Sequence, residues 1–310
     1  MHSNAFDQRL VTDREEIDSS LRRLLVCTPR PGLPGHDFSH AKASLLETIR
    51  YATFGPAKRI RPLLALRVGR LLKSDLEVVL RAALAVEIIH CASLIIDDLP
   101  CMDNAECRRG RPAVHVRFGE SKAILAAFSM VALAADSVIP DNPVDRSQLT
   151  YIVRFQHRLL RVLSCDALIG GQAWDLECRG YERRQKAESL ASLKTAPLFE
   201  LAAMAGCISS RSSDCEQVLE FARAFGVLFQ LVNDLSDGNP LPGAPVQSQL
   251  SRVYKLLEGL GAEAEELVYM VEHLVKQLPD PTQSSLVIRS REGRAFLPGV
   301  DAPREPEIQS

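Results

Sequence analysis

The sequence predicts an all-α protein, built as one large helical bundle, and three observations support this fold class. Apolar residues recur at helical spacing along most of the chain, beginning with Leu45, Leu46, Ile49 and Ala52. No segment shows the alternation of apolar and polar residues that is typical of a half-buried strand. Proline and glycine fall between the helical segments, where helices are expected to end.

The helical segments follow one another along the chain with short breaks. One begins after Pro62, and the next, Leu76–Ile96, is so rich in alanine and leucine that we expect a buried core helix. Two Pro/Gly-rich segments, Cys27–Asp37 and Ser236–Pro245, are predicted to be irregular, and the polar tail at residues 290–310 is expected to fray. The other predicted helices are Ser121–Ile139, Ser147–Ile169, Ala187–Leu193, Pro197–Ser209, Asp214–Leu235, Gln247–Leu260 and Glu263–Gln277.

Length and composition fit a single domain that covers residues 1–310. The hydrophobic fraction of 46% is ample for a core, and the charged fraction of 25% is ordinary. A formal net charge of −2 provides no basic field for nucleic acid, so no nucleic-acid partner is expected.

The sequence favours a cytoplasmic protein without a membrane span. Its first ten residues lack a basic start followed by an apolar core. The apolar stretch Ile124–Ala135 is too short to cross a bilayer. None of the eight cysteines forms a CxxC pair, which favours reduced and mostly buried thiols over a disulfide framework or a zinc site.

Charge is concentrated directly after the long apolar helix, in the stretch IIDDLPCMDNAECRRGRP (Ile95–Pro112). Asp97, Asp98 and Asp103 would repel one another unless a cation lies between them. In an unbroken helix Asp97 and Asp103 would point about 120° apart, but Pro100 ends or bulges the helix and can return Asp103 to the side of Asp97. Carboxylates grouped in this way suit Mg²⁺ that also binds phosphate oxygens, whereas the alternative is an acidic helix end in solvent.

Two further patterns around this cluster point to an anionic ligand. Arg108 and Arg109 follow it, and arginines bind phosphate oxygens in bidentate geometry. Upstream, His90 and Ser93 share one helix face with Asp97, so a polar stripe runs along an otherwise apolar helix. We expect this stripe to line a cavity.

These residues resemble those of a known family. DDLPCMDN…RRGRP resembles the first aspartate-rich motif of the trans-isoprenyl diphosphate synthases (polyprenyl synthetases), in the DDxxxxD form of bacterial and plant members. HCASLIIDDLPCMD is similar to geranylgeranyl diphosphate synthases, with farnesyl diphosphate synthases next. The resemblance implies a helical bundle of the isoprenoid synthase type with a central cavity, more than one Mg²⁺ ion per site, and a homodimer.

The resemblance also implies which residues bind the two substrates, isopentenyl diphosphate and an allylic diphosphate. GPAKRIRP resembles GGKRxRP, so Lys58 and Arg61 are implied to bind isopentenyl diphosphate, together with His90 and Arg109. Arg108 is implied to bind the allylic diphosphate. Taken alone, the basic segment is also typical of a helix start, and His90 of a satisfied core histidine.

Two more motifs are implied to lie near the allylic diphosphate and its metals. GGQAWDL resembles GGQxxDL, which places Gln172 and Asp175 one helical turn apart and facing the metals. KTAPLF resembles KTGxLF, with Lys194 and Thr195 near the allylic diphosphate. Gln172, Lys194 and Thr195 are implied to act in catalysis with the aspartates of the first motif, although each segment alone would suit an ordinary helix surface.

The second aspartate-rich motif departs from the family pattern. FQLVNDLSD stands in the place of FQxxDDxxD, so Asn233 replaces the first aspartate and is a doubtful metal ligand. Asp234 and Asp237 are implied to bind metal, and Gln230 to bind substrate. The family usually carries a lysine shortly after this motif, whereas the next lysine here is Lys255.

Together these patterns predict a Mg²⁺-dependent prenyltransferase that adds isopentenyl diphosphate to an allylic diphosphate. The metal would pull charge onto the leaving diphosphate, and the isopentenyl double bond would attack the allylic cation that remains. Ala92 and Ser93, which precede Asp97 by about one helical turn, are small, and in this family a bulky aromatic there limits product length. We therefore expect the twenty-carbon geranylgeranyl product, with the fifteen-carbon farnesyl product second.

Two alternatives belong to other classes of protein. A non-catalytic or weakly active partner subunit of a prenyl diphosphate synthase would keep the fold and lose the second motif, but its first motif would usually be damaged as well. A class I terpene cyclase would also ionise an allylic diphosphate with Mg²⁺, and Asn233-Asp234 resembles the start of its NDxxSxxxE motif. Asp237 and Leu241 stand where that motif needs serine and glutamate, so this match fails.

Overall fold

The computed structural model describes residues 2–26, 39–140, 146–178, 180–210, 212, 214–238 and 245–278, together with the pairs 288–289 and 295–296. These residues form fourteen α-helices, a short 3-10 helix (Ala262–Ala264) and two pairs of very short strands, so the predicted all-α fold class is confirmed. The helices are α1 (His2–Leu24), α2 (Ser39–Thr53), α3 (Ile60–Leu71), α4 (Leu76–Asp97), α5 (Val114–Phe118), α6 (Glu120–Ser137), α7 (Arg146–Val162), α8 (Leu168–Glu177), α9 (Gly180–Gln185), α10 (Ala187–Lys194), α11 (Ala196–Cys207), α12 (Cys215–Ser236), α13 (Pro245–Leu260) and α14 (Glu265–Val275).

Two antiparallel strand pairs correct the expectation of a chain without strands. β1 (Cys107–Arg108) pairs with β2 (Arg111–Pro112), and β3 (Ile288–Arg289) pairs with β4 (Ala295–Phe296). Each strand has two residues, too few for alternation to show in the sequence. The predicted loop Cys27–Asp37 and, apart from β4, the predicted frayed tail lie outside the described residues.

Among the differences from the sequence prediction, one divided helix and the additional helix α1 have identifiable reasons. The predicted helix Ser147–Ile169 is divided into α7 and α8 by turns at residues 163–167. There the carbonyl of Cys165 approaches Gly170 so closely that a Cβ would lie 1.7 Å from its oxygen, so only glycine fits. The sequence of α1 is too polar for its periodicity to be recognised, yet Ile17 on its inner face is fully buried.

α4 is the central helix of the bundle. It packs against α3, α6 and α11, and most of its residues in the range 79–95 are buried. Asp75 caps its first turn by accepting a hydrogen bond from the Glu77 backbone N–H at 3.0 Å. By length and composition alone α4 is apolar enough to cross a membrane, but 67% of its apolar window is buried, as in the core helix of a globular protein. The buried apolar residues form one continuous cluster from Ile17 to Leu278.

A buried arginine joins four helices at the start of α3. Arg59 has a positive φ of 50°, which is uncommon for a residue other than glycine. Its guanidinium donates to Glu87 Oε1 on α4 at 2.7 Å, to Asp18 Oδ1 on α1 at 2.9 Å and to the Thr53 carbonyl of α2 at 2.8 Å. Because Arg59 and Glu87 are almost completely buried, this network fixes the turn that leads into α3 and to Arg61.

A cavity of about 860 Å³ opens at the N-terminal end of α4, between α1, α2 and α6. Of the α4 residues that line it, Leu84 is the nearest in sequence to Asp97. At a rise of about 1.5 Å per residue, this separation corresponds to roughly 20 Å along the helix. The cavity is therefore distant from the acidic end of α4.

The cysteines correct another prediction. The seven that the structure describes are all free, but only Cys91 and Cys178 are buried, whereas Cys101, Cys107 and Cys165 are exposed. The expectation of mostly buried thiols is wrong, because these three residues lie in turns and in β1 rather than on helix faces.

Candidate active site

The first aspartate-rich motif lies where α4 ends. The helix stops at Asp97, and the chain then turns so that the Asp103 backbone N–H donates to the Asp97 carbonyl at 2.9 Å. Pro100 is exposed in this turn. The turn brings the Asp103 carboxylate close enough for its charge to act on Asp97, so two of the predicted ligands are brought together.

Asp97 is an unusual carboxylate because of its burial. Burial is the main cause that raises its pKa to about 6, and the neighbouring charges of Asp103 and Asp98 raise it further, whereas Lys194 and Arg108 act in the opposite direction. A divalent cation bound here would offset the unfavourable interactions of the ionised side chain.

Asp97→Asn is expected to change the pH dependence of stability in buffer with EDTA. The pKa of Asp97 in the folded protein, about 6, lies above the value of about 3.9 for an unfolded aspartate. The folded state binds this proton more tightly, so the residue stabilises the fold below about pH 4, and that stabilisation is lost as the pH rises through about 6. Between about pH 4 and pH 7, the Tm of the variant should therefore fall less than the Tm of the unaltered protein. An equal fall in Tm for both proteins would contradict a raised pKa for Asp97.

Asp98, the next residue, is paired with an arginine. Its buried carboxylate accepts hydrogen bonds from Arg108, with Arg108 Nε 2.9 Å from Asp98 Oδ1 and Arg108 Nη2 contacting the same oxygen. Asp98 thus orients Arg108 at the edge of the acidic cluster. Metal binding by Asp98 stays a prediction.

Arg108 and Arg109 belong to a tight β-hairpin. β1 and β2 pair Arg108 with Arg111, and the two residues between them, Arg109 and Gly110, have φ of 55° and 74°. Positive φ at both central positions is typical of a type I′ turn, which matches the twist of a hairpin. A left-handed conformation costs a residue with a Cβ about 1–2 kcal/mol. This turn directs consecutive arginines to different surroundings: Arg108 to Asp98, and Arg109 towards the cationic cluster described next.

A second cluster of cationic side chains lies around His90 of α4, and the buried Glu87 carboxylate is also close enough for its charge to act on Arg61. His90 is half-buried, and burial is the main cause that lowers its pKa well below 6.5; the charges of Arg61 and Arg109 lower it further. Arg61 lies over the ring of Phe199 at 4.7 Å, and its Nε has no hydrogen-bond partner among the described residues. Burial also lowers the pKa of Arg61 to about 10. A buried guanidinium nitrogen without a partner is costly, so this cluster is suited to an anion.

The structure does not place Lys58 in this cationic cluster. Its Nζ donates to Gln277 Oε1 at 2.5 Å, just beyond the end of α14, and its carbonyl accepts from Arg14 Nε at 3.3 Å. For Lys58 to bind the same diphosphate as Arg61, its hydrogen bond with Gln277 would have to be exchanged.

The second aspartate-rich motif lies at the C-terminal end of α12. Thr195 Oγ1 donates to Gln230 Oε1 at 2.9 Å, and Gln230 Nε2 donates to Asp234 Oδ1 at 2.9 Å, so three predicted site residues form one chain of hydrogen bonds. Burial is the main cause that raises the pKa of Asp234. The Asp237 backbone N–H donates to the Asn233 carbonyl at 2.9 Å and closes the helix.

Two cationic side chains, those of Lys194 and Arg183, lie between the two acidic motifs. Lys194 Nζ donates to Asp175 Oδ2 at 2.9 Å, and Arg183 of α9 contacts the same carboxylate through Nε and Nη2. Burial opposes the ionisation of Asp175, but these two partners outweigh it and lower its pKa. Asp175 therefore has two cationic partners, and its charge also acts on Asp234; its position facing the metals stays a prediction. Lys194 also acts on Asp97 and Arg183 on Asp234, so the two motifs border one site.

The donor set around this site fits Mg²⁺. Asp97 and Asp103 supply carboxylate oxygens from α4 and its turn, and Asp234 and Asp237 supply them from α12, which are ligands that Mg²⁺ prefers. Gln172 is buried, and neither atom of its amide is hydrogen-bonded to a described residue. Within the part of the chain that the structure describes, no three Asp, Glu, His or Cys side chains form a metal-binding group by themselves. Metal binding here would therefore need oxygens of the substrate or water as well.

Comparison with known proteins identifies the family. The family described as polyprenyl synthetase matches residues 42–240. "Putative geranylgeranyl pyrophosphate synthase 8, chloroplastic" of Arabidopsis thaliana is 35% identical over 246 residues, which cover 76% of this chain and 64% of that protein. "Heterodimeric geranylgeranyl pyrophosphate synthase large subunit 2" of the same plant is 38% identical over 197 residues, which cover 62% of this chain and 51% of that protein. The chain thus spans 51–64% of the length of these two curated relatives.

A solved structure supports the same assignment. The apo crystal structure of an FPP/GFPP synthase from Zymomonas mobilis matches with a TM-score of 0.73 at 29% identity, and the match covers 88% of this chain and 99% of that one. The fold is that of the isoprenoid synthases, as the sequence predicts. The chain belongs to the polyprenyl synthetase family.

Proposed function

We propose that the chain is a Mg²⁺-dependent prenyltransferase that condenses isopentenyl diphosphate with an allylic diphosphate to form geranylgeranyl diphosphate. Farnesyl diphosphate is the second candidate product. The observation that carries this proposal is the presence of two separate groups of cationic side chains, each suited to an anion. One includes Lys194 and borders the acidic motifs, and the other consists of the buried Arg61 and the half-buried Arg109 around His90. A condensation of two diphosphates needs both.

The side chains of the site have distinct tasks in this reaction. Bound Mg²⁺ would supply Lewis-acid activation of the leaving diphosphate. Lys194 and Arg108 border the first motif, where their charges stabilise the negative charge that develops on the leaving group. The oxygen atoms of Thr195 and Gln172 stabilise the allylic cation. Isopentenyl diphosphate, held at Arg61, attacks this cation through its double bond, and the released diphosphate takes the proton that is lost.

Two small residues of α4 support the longer product. Ala92 is buried, and Ser93 is half-buried with its Oγ donating to the His90 carbonyl at 2.9 Å. Neither presents a bulky side chain to a growing prenyl tail about one turn before Asp97. We therefore propose the twenty-carbon compound as the main product and the fifteen-carbon compound as the second candidate.

An elongation assay on the purified chain tests the proposal. The protein receives labelled isopentenyl diphosphate with dimethylallyl, geranyl or farnesyl diphosphate, in Mg²⁺ or in EDTA, and the products are sized by chromatography. Mg²⁺-dependent twenty-carbon product is the expected result.

A partner-subunit role is the second candidate function, and Asn233 in the second motif favours it. One relative is described as the large subunit of a heterodimeric synthase. Against this role, Asp97, Asp103 and Lys194 of the catalytic site are all present. A folded chain that turns over none of the three starters would favour the partner-subunit role over the enzyme.

We also propose that the chain forms a homodimer through α6 and α7. The two helices adjoin, because Gln156 Nε2 donates to the Ala135 carbonyl at 3.0 Å. Both expose apolar side chains that would be buried by a second copy, and Phe128 is the most exposed of them at 71%. The others are Ile124 and Leu125 of α6 and Leu149, Val153 and Leu160 of α7.

Phe128→Glu is expected to convert the dimer into a monomer, because it places a charge in an apolar interface. Light scattering after size-exclusion chromatography should give twice 34.2 kDa for the unaltered protein and 34.2 kDa for the variant. Val11→Glu, which alters an exposed apolar residue on α1, is the matched control and should remain dimeric. A monomeric unaltered protein, or a variant that stays dimeric, would contradict the interface.

A further inference from the structure

Arg183 is a cationic residue of the site that no sequence motif explains. It lies on the six-residue helix α9, between α8 and α10. Its side chain is 58% exposed, whereas that of its partner Asp175 is buried. Arg183 Nη2 lies 2.9 Å from Asp175 Oδ2, and Nε contacts Oδ1, so both carboxylate oxygens are engaged. This bidentate pair fixes the orientation of a long side chain that would otherwise be mobile in solvent.

The same carboxylate orients a second cation. Lys194 Nζ donates to Asp175 Oδ2 at 2.9 Å, so an ammonium and a guanidinium lie side by side on one buried aspartate. Two cations on one carboxylate leave a net positive charge. Among the described residues, neither Arg183 Nη1 nor Lys194 Nζ has another acceptor. Adjacent cations with unused donors are suited to the several oxygens of a phosphate group.

Arg183 lies close enough to both acidic motifs for their charges to act on it. The charges of Asp234 and Asp103 both act on its guanidinium, which therefore lies between α12 and the turn after α4. A divalent cation held by these carboxylates would weaken their attraction for Arg183. The free edge of the guanidinium would then be available to the anion that accompanies the cation.

We propose that Arg183 binds the diphosphate group of the allylic substrate beside Lys194, with Asp175 as the positioning residue for both cations. This inference rests on the proposed function. It assigns a further substrate-binding residue to a segment, α9, for which the sequence motifs give no role.

The direct test is a titration with inorganic diphosphate in the presence of Mg²⁺. Trp174, the single tryptophan, precedes Asp175 on α8 and reports binding by its fluorescence. Arg183→Ala is expected to weaken binding about 10- to 100-fold, the loss typical of charge-assisted hydrogen bonds. Arg184→Ala alters the adjacent exposed arginine, and this matched control should change the affinity less than about twofold.

Steady-state elongation kinetics give a second measurement that a purely structural role would not reproduce. Arg183→Ala should raise the KM for the allylic diphosphate and leave the KM for isopentenyl diphosphate within about twofold. Because the side chain is exposed, we expect the variant to fold. If it does not, Arg183→Lys, which keeps the charge beside Asp175 but loses the bidentate geometry, is measured in its place and should show a smaller loss of the same kind.

Three results would overturn the inference, and they can be told apart. If the unaltered protein binds inorganic diphosphate and Arg183→Ala binds it equally well, Arg183 is not a ligand, while the proposed function stands. If the unaltered protein binds no diphosphate in Mg²⁺, the proposed function fails and the inference fails with it. Weaker binding of inorganic diphosphate with an unchanged allylic KM would assign Arg183 to the released product instead of the substrate.

Discussion

Asp97→Asn is expected to lower the kcat of elongation by about 10²- to 10³-fold, the usual loss when one preorganised electrostatic group is removed. Asp97 is the last residue of α4. The turn that follows brings Asp103 close to it, and the charge of Lys194 also acts on its carboxylate. Asparagine preserves the size of the side chain but lacks the charge that holds a divalent cation. Initial rates at saturating substrates, measured over a range of Mg²⁺ concentrations, give the effect.

The control for this variant is a charge removed at a distance from the site. Glu47 lies on the exposed face of α2, and Glu47→Gln should leave kcat within about twofold. If Asp97→Asn also stayed within about threefold of the unaltered protein, Asp97 would not take part in activating the leaving group.

Glu87→Ala is expected to lower the free energy of unfolding by about 3–5 kcal/mol, the usual effect of removing one partner from a buried ion pair. Glu87 Oε1 accepts from Arg59 Nη1 at 2.7 Å, and both side chains are 2% exposed. The variant leaves a buried guanidinium nitrogen without its acceptor. Because Arg59 also bonds Asp18 and the Thr53 carbonyl, loosening it affects α1, α2 and α3 together. Urea unfolding followed by circular dichroism measures the change.

An exposed ion pair on the same helix provides the comparison. Glu77 pairs with Arg81 on α4, and its side chain is 84% exposed. Glu77→Ala should therefore cost less than about 1 kcal/mol. If Glu87→Ala lowered the free energy of unfolding by no more than about 1 kcal/mol, Arg59 would not need Glu87 as a hydrogen-bond partner.

The features that follow from local rules are the ones that the sequence predicts well. The apolar run of α4, its end before Pro100, and the return of Asp103 to Asp97 all depend on residues within one short stretch. The chain of hydrogen bonds through Gln230 and Asp234 likewise follows from their spacing on one face of α12.

Other features depend on tertiary contacts or on rare backbone conformations. Arg109 adopts a positive φ that arginine seldom takes, so propensity does not predict the hairpin. The pairing of Asp175 with Arg183 joins α8 to α9, and no periodic pattern joins positions on two helices. The contact of Lys58 with Gln277 joins residues 219 positions apart. Such contacts become visible only when the helices are packed.

The two aspartate-rich motifs form one site only if both are needed for the same ligand. Isothermal titration calorimetry with an allylic thiolodiphosphate, in which sulfur replaces the bridging oxygen and slows ionisation, measures this requirement in Mg²⁺ and in EDTA. We expect the unaltered protein to bind the analogue only with Mg²⁺, and both Asp97→Asn and Asp234→Asn to bind it at least about tenfold more weakly. Binding that persists in EDTA, or that is weakened in only one of the two variants, would contradict a shared site.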